Sequence, residues 1–310
     1  MKVNARGWRC RDGRGYSSAM EVRGAIVRLG DGSHVAYDEY GDPRGFPVIF
    51  CHGWPSSRSM AQLTDDAAKR LGVRIISPDR PGIRGSSFVN ARTLLDWPDV
   101  LSAFVAHLSI KKFRMLAISG GAPYAYVAGW KLPDKVEAIA IASGVPPISE
   151  LTDHAGLFWL HRRMLALQGR NPKLLRALFR IARPIASLQM SLRCRPFLRL
   201  ILQRMDAEAL RDRRAFESCF ESSRAAWAAS VDGVIADAEI YAQPWGFPVE
   251  EVRVPIHLWH GKNDRTFSFR LTEELAKRFQ NCRLHIIENA GHYSLPIRNI
   301  ETILADLIAV

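Results

Sequence analysis

The sequence predicts an α/β fold: a mostly parallel central sheet with helices on both faces, interrupted late in the chain by a helical insertion. Three observations predict it. Short continuous apolar runs of strand length alternate with helical stretches through the first half of the chain. Over residues 146–244 the alternation stops, leaving amphipathic helical runs without a strand pattern, and afterwards it resumes. Near the start, two alternating apolar segments flank Asp31-Gly32, the signal of a β-hairpin.

The hairpin spans GAIVRLGDGSHVAYDEYG. The run PVIFC at 47–51 is apolar throughout, as a strand buried on both faces should be. A helix is expected over 58–71 and a strand over 74–77. Asp96 is an N-cap candidate with Pro98 close behind it, so 96–108 reads as a helix. FRMLAI at 113–118 is the next strand, 123–131 the next helix, and VEAIAIA at 136–142 the strand after it. Beyond the insertion come PIHLW at 255–259, a helix near 268–279, a strand over 283–287 and a closing helix. The organisation is therefore a core of residues 22–145 and 245–310, with 146–244 inserted between two late strands. Residues 1–21 read as a disordered basic tail, and Met20 would serve as an alternative start.

At 310 residues, 47% hydrophobic and 24% charged, the chain has the makeup of a globular protein with a full core. No apolar run reaches 18 residues, so no membrane span is expected. The basic N-terminus lacks the apolar stretch of a secretory signal. Cys10, Cys51, Cys194, Cys219 and Cys282 are odd in number, widely spaced and without a CxxC pair. They read as free thiols in a reducing, cytoplasmic setting, not as a disulfide frame or a metal site. The net charge of +12 is concentrated: residues 155–205 carry eleven Arg or Lys and no Asp or Glu.

The chemistry-bearing residues fall at strand ends. In FRMLAISGGAPYAYVAGW a buried strand runs into Ser119 and a helix follows at once, with Ala117, Gly120 and Gly121 around the serine. Small flanks are what a sharp, strained strand-to-helix turn needs if it is to present a nucleophilic hydroxyl at the sheet edge. In VIFCHGWP a second strand ends in a turn that puts the Trp54 amide near the same edge. Trp54 N–H and Gly120 N–H are the expected pair of oxyanion donors, each worth on the order of 3 kcal/mol in comparable sites. His52 is read as a brace for the loop. Asp264 follows a third strand and Gly261; His292 follows a fourth strand and Gly291. The order Ser119, Asp264, His292 suits a serine nucleophile, an imidazole base and a carboxylate that orients it. Asp237 and Glu239 are the alternative acids, although they precede the last core strands. Trp54 and Tyr124 are candidates to line an apolar acyl pocket, or else ordinary packing.

The segments HGWP, PDRPGIRGSS, AISGGAPYA, WHGKND and AGHYS resemble the α/β-hydrolase superfamily, in particular its capped members such as esterases, epoxide hydrolases and proline iminopeptidases. The resemblance covers roughly residues 22–310 and is weakest in the insertion. It implies a triad of Ser119, Asp264 and His292, a structural loop at Asp79-Arg80-Pro81-Gly82, and no cofactor. One departure is Ala117, where the turn ordinarily begins with glycine. A serine nucleophile in place of an aspartate argues for acyl transfer and against epoxide or haloalkane chemistry.

The expected activity is hydrolysis of a small-molecule carboxylic ester or related acyl bond. A cofactor-free haloperoxidase-like perhydrolase and a ligand receptor with little turnover are the alternatives. The basic insertion has three readings: amphipathic helices that cover the site and turn arginines to water, weak contact with an anionic membrane, or attraction of anionic substrates. Nothing accompanies the charge that reads as a nucleic-acid motif, and the oligomeric state is not legible.

Overall fold

A computed structural model describes residues 22–190, 197–200 and 202–310. The expected tail over 1–21 lies outside them, as do Arg193, Cys194 and Arg195. Eight strands form one sheet: β1 (Ala25–Arg28), β2 (His34–Gly41), β3 (Phe46–Cys51), β4 (Val73–Pro78), β5 (Phe113–Ile118), β6 (Val136–Ala142), β7 (Ile256–Gly261) and β8 (Cys282–Ile287). Their spatial order is β1-β2-β4-β3-β5-β6-β7-β8, and every pairing from β4 onward is parallel. The two antiparallel pairings belong to the hairpin and its junction with β4. Its turn is closed by Asp31, whose Oδ1 accepts from Ser33 N at 2.8 Å, and by Gly32 at φ +85°.

Helices α1 (Asp65–Leu71), α2 (Trp97–His107), α3 (Ala122–Lys131), α9 (Phe269–Ala276) and α10 (Ser294–Ile308) accompany the sheet. The helix expected over 58–71 is divided, with a 3-10 segment at Arg58–Thr64 ahead of α1. Strand alternation builds the two core layers. Phe113, Met115 and Ala117 of β5 join one cluster with residues of α2 and α3, while Leu116 and Ile118 join the other with residues of α10. β6 divides the same way: Ile139 and Ile141 face the first layer, and Ala138, Ala140 and Ala142 give α10 an all-alanine face to pack against.

Between β6 and β7, the described regular elements are helices: α4 (Trp159–Arg170), α5 (Pro172–Ala186), α6 (Arg204–Ala209), α7 (Arg213–Ala229) and α8 (Val231–Ala242). Among the described residues, no helix is long and apolar enough to cross a membrane. The reading in which apolar stripes turn inward and arginines outward fits α5 only in part. That helix buries only Leu175 and Phe179, and its arginines turn toward α7 and α8. There Arg176 pairs with Glu239 at 2.5 Å, Arg180 with Asp232 at 3.0 Å, and Arg183 donates to the Ala228 carbonyl at 2.8 Å. Acidic side chains and helix-end carbonyls on α7 and α8 supply the partners, and Leu174, Leu178, Ile181 and Ile185 are left outside.

A buried charge cluster ties α8 to the core. Asp237 accepts from Arg80 Nε at 2.9 Å, from Tyr124 Oη at 2.7 Å, and from Arg92 Nη2. All three ionic groups are at most 3% exposed in their side chains. Burial pushes the Asp237 carboxyl upward, but the two guanidinium charges outweigh it and hold the pKa below the usual carboxylate range. Removing one partner from such a cluster strands buried charge and costs about 3–5 kcal/mol. Asp237→Ala should lower the unfolding free energy by about that amount in urea titration; a loss under about 1 kcal/mol would contradict this account.

Candidate active site

The parallel strands β3, β5, β7 and β8 end along one edge, and the candidate residues stand on the loops that follow. Ser119 comes directly after β5 at φ +52°, a left-handed backbone conformation that non-glycine residues rarely adopt. The two residues after it have no room for side chains. A Cβ at Gly121 would lie 2.1 Å from the Cys51 carbonyl oxygen, and one at Gly120 would lie 2.7 Å from Tyr241 Oη and 2.8 Å from Trp54 Cβ. The turn therefore presses against the end of β3, and the serine side chain is turned out.

Ser119 Oγ lies 3.0 Å from His292 Nε2, and His292 Nδ1 lies 2.8 Å from Asp264 Oδ2. Asp264 is held in turn, since its Oδ1 accepts from Thr266 N at 2.7 Å and Phe267 N at 3.1 Å. The loops that follow β7 and β8 are laced together: Asn263 N donates to the Ala290 carbonyl at 3.0 Å. A Cβ at Gly261 would stand 2.3 Å from that same carbonyl oxygen. Burial lowers the His292 pKa, but the adjacent Asp264 charge and hydrogen bond outweigh it, leaving the imidazole above its ordinary value.

Arg80 orients the neighbouring loop. Its guanidinium donates to the His52 carbonyl at 2.5 Å and to the Gly53 carbonyl at 2.9 Å. A trans peptide directs its N–H opposite to its C=O, so the Trp54 N–H is aimed away from Arg80. It lies beside the serine turn, where a Cβ at Gly120 would come within 3.1 Å of Trp54 N. His52 is fully buried and makes its polar contacts to Gly53 O at 3.0 Å and Arg80 N at 3.4 Å. Burial and the Arg80 charge hold its pKa well below normal, so it stays neutral and acts as a brace.

A family model described as the alpha/beta hydrolase family matches residues 48–303. The chain belongs to this family. Among curated proteins it is similar to a non-heme chloroperoxidase of Streptomyces lividans, 29% identical over 136 residues, covering 41% of this chain and 47% of that protein. It is also similar to a bifunctional esterase/perhydrolase of Acinetobacter calcoaceticus, 30% identical over 130 residues, covering 41% and 47%. The matches thus span about half the length of these relatives. Among solved structures, an esterase from Exiguobacterium antarcticum superposes with a TM-score of 0.65 at 16% identity, covering 92% of this chain and 98% of that one. That likeness is one of fold.

In this alpha/beta hydrolase a cleft of about 110 Å³ opens beside Ser119 and His292. Trp54, Met60, Ile118, Phe220, Tyr293 and Pro296 supply most of its apolar wall. Cys219 also reaches it, but burial pushes that thiol up to about 12, which keeps it protonated. Tyr124 does not line the cleft. It is fully buried, edge-on to Trp97 and Tyr241, with its hydroxyl spent on Asp237 and Arg92. The helical turn that places it beyond Ser119 also points it down into the core. Asp237 and Glu239 are committed to arginines, and the carboxylate hydrogen-bonded to the His292 ring is Asp264. Among the described residues, His257, His285 and Asp306 form a group with metal-ligand atoms in reach of one another. They lie outside the cleft, and Asp306 is already engaged by His257 and by Arg283 at 3.4 Å.

Sequence reasoning missed Asp206 on α6. Its carboxylate caps the His292 loop, accepting from the backbone N–H of His292 (3.1 Å), Tyr293 (3.1 Å) and Ser294 (2.8 Å), and from Ser294 Oγ at 2.7 Å. Gly291 leaves room for it, since a Cβ there would lie 2.6 Å from the carboxylate. Nothing in its local sequence marks it, because its partners lie more than eighty residues away. Its negative charge also contributes to raising the His292 pKa. Asp206→Ala should therefore lower thermal stability and shift the acid limb of the activity profile to lower pH, read from kcat/KM between pH 5 and 9. An unmoved limb would separate Asp206 from the imidazole.

Proposed function

We propose that the protein is a serine hydrolase that cleaves a small carboxylic ester or related acyl bond through an acyl-enzyme. The observation that carries this reading is the unbroken hydrogen-bonded line from Ser119 through His292 to Asp264 at the floor of an apolar cleft. In this reading His292 Nε2 takes the Ser119 proton as Oγ attacks the substrate carbonyl carbon. Asp264 accepts from the Nδ1–H, which fixes the tautomer and stabilises the imidazolium. The Trp54 and Gly120 amides receive the developing oxyanion, and His292 returns the proton to the leaving alcohol. Water, deprotonated by the same imidazole, then releases the acid. Arg80 serves as a positioning residue for the Trp54 amide, and no cofactor enters the scheme. Residues 146–244 are read as a cap over the cleft, contributing Cys219, Phe220 and Ser223 to its wall.

A second reading is favoured by the names of the curated relatives, chloroperoxidase and esterase/perhydrolase. Hydrogen peroxide in place of water would attack the same acyl-enzyme, giving a peracid and regenerating Ser119. It needs no further residue, so it is a companion reaction on one intermediate.

With p-nitrophenyl esters, hydrolysis should favour short acyl chains, because the cleft is smaller than the roughly 150 Å³ cavity that admits benzene in another protein. Ser119→Ala should reduce kcat by about 10⁴–10⁶ and Asp264→Asn by about 10⁴. Because the base must be neutral, activity should rise with pH through an apparent pKa above the ordinary histidine value of 6.5. Undiminished hydrolysis by Ser119→Ala would overturn the assignment.

A further inference from the structure

We infer that the hairpin of α4 and α5 docks on an anionic lipid surface. The two helices pack together, joined at Asn171. On α5 the apolar residues occupy two adjoining stripes. Leu175 and Phe179 face inward, Phe179 within 6.0 Å of the Trp54 ring. Leu174, Leu178, Ile181 and Ile185, spaced by four, three and four, form the second stripe and stand in solvent, with Ile181 and Ile185 at 72% and 76% exposure. An exposed row of large aliphatic side chains on a charged protein marks an interaction surface.

The chemistry of its surroundings selects the occupant. Trp159, Arg162, Arg163 and Arg170 are exposed on α4, and Lys173 stands at the start of α5. Unlike the arginines that face α7 and α8, these four cations enter no ion pair among the described residues. Residues 155–205 contain no acidic side chain to neutralise them. An amphipathic helix beside unneutralised basic residues and an exposed tryptophan suits the interface of an anionic bilayer, where aliphatic side chains enter and cations meet phosphates. A second copy of the chain would bring the same cations face to face. Residues 1–21, with Lys2, Arg6, Arg9, Arg11 and Arg14 against Asp12 and Glu21, fit the surface no better. The proposal does not depend on the chemistry assigned to Ser119.

The test uses the full chain with vesicles of phosphatidylcholine alone and of phosphatidylcholine containing phosphatidylglycerol, read by sedimentation at low salt. Binding should be confined to the anionic vesicles and weaken as salt rises. Each basic residue near such a surface is worth about a fivefold change in partitioning, so Arg162→Gln/Arg163→Gln/Arg170→Gln should lose on the order of a hundredfold. Ile181→Ser/Ile185→Ser should also lose binding, and both variants should melt as the parent does, since the changed side chains support no core. Failure of the folded chain to bind anionic vesicles, equal binding to neutral ones, or parental binding by either variant would overturn the proposal. Analytical ultracentrifugation supplies the rival outcome. A dimer broken by Ile181→Ser/Ile185→Ser, with no vesicle binding, would assign the stripe to a second copy.

Discussion

The close approach of the Ser119 turn to the end of β3 constrains everything around it. Gly121 lies so near the Cys51 carbonyl that no side chain fits, and Ser119 takes up the bend with a left-handed backbone. Parallel pairing of β3 with β5 and of β5 with β6 puts that turn level with the other strand ends. The same edge receives the loops after β7 and β8, which bring Asp264 and His292 within hydrogen-bond reach. A bulkier residue at 120 or 121 would have to move β3, β5 or the Trp54 loop, and each of those is locked by its neighbours. Strain of this kind persists only where packing over-determines it.

Two buried carboxylates from the helices between β6 and β7 carry the second level of control. Asp237 reaches Arg80, which holds the His52 and Gly53 carbonyls and thereby aims the Trp54 amide. Asp206 reaches the backbone on which His292 sits. One steadies the side of the site that would receive charge, and the other steadies the side that would move the proton under the proposed mechanism. Those helices thus help to set the geometry of the sheet edge in addition to walling the cleft.

What the sequence made legible follows the reach of its signals. Strands such as FRMLAI and VEAIAIA are apolar on both faces because helices cover both faces, so their bounds are sharp. Ser119, Asp264 and His292 each come just beyond a strand with a glycine close by, a local pattern that survives long separation in sequence. Asp206 has no such pattern, because it contacts backbone amides that only the tertiary fold brings near. Tyr124 stays open between pocket lining and packing for a related reason: periodicity puts it one turn past the serine but does not say that Asp237 and Arg92 draw its hydroxyl inward. On α5 the 3.6-residue period showed an amphipathic helix without showing that the acidic partners of its arginines lie on the protein side.

Trapping of the nucleophile is the most direct test of the central claim. The folded chain would be incubated with a fluorophosphonate and examined by intact-mass spectrometry with peptide mapping. The account predicts one adduct per chain, carried by Ser119 and absent from Ser119→Ala. A folded chain that takes no adduct, or takes it at another residue such as Cys219, would contradict it.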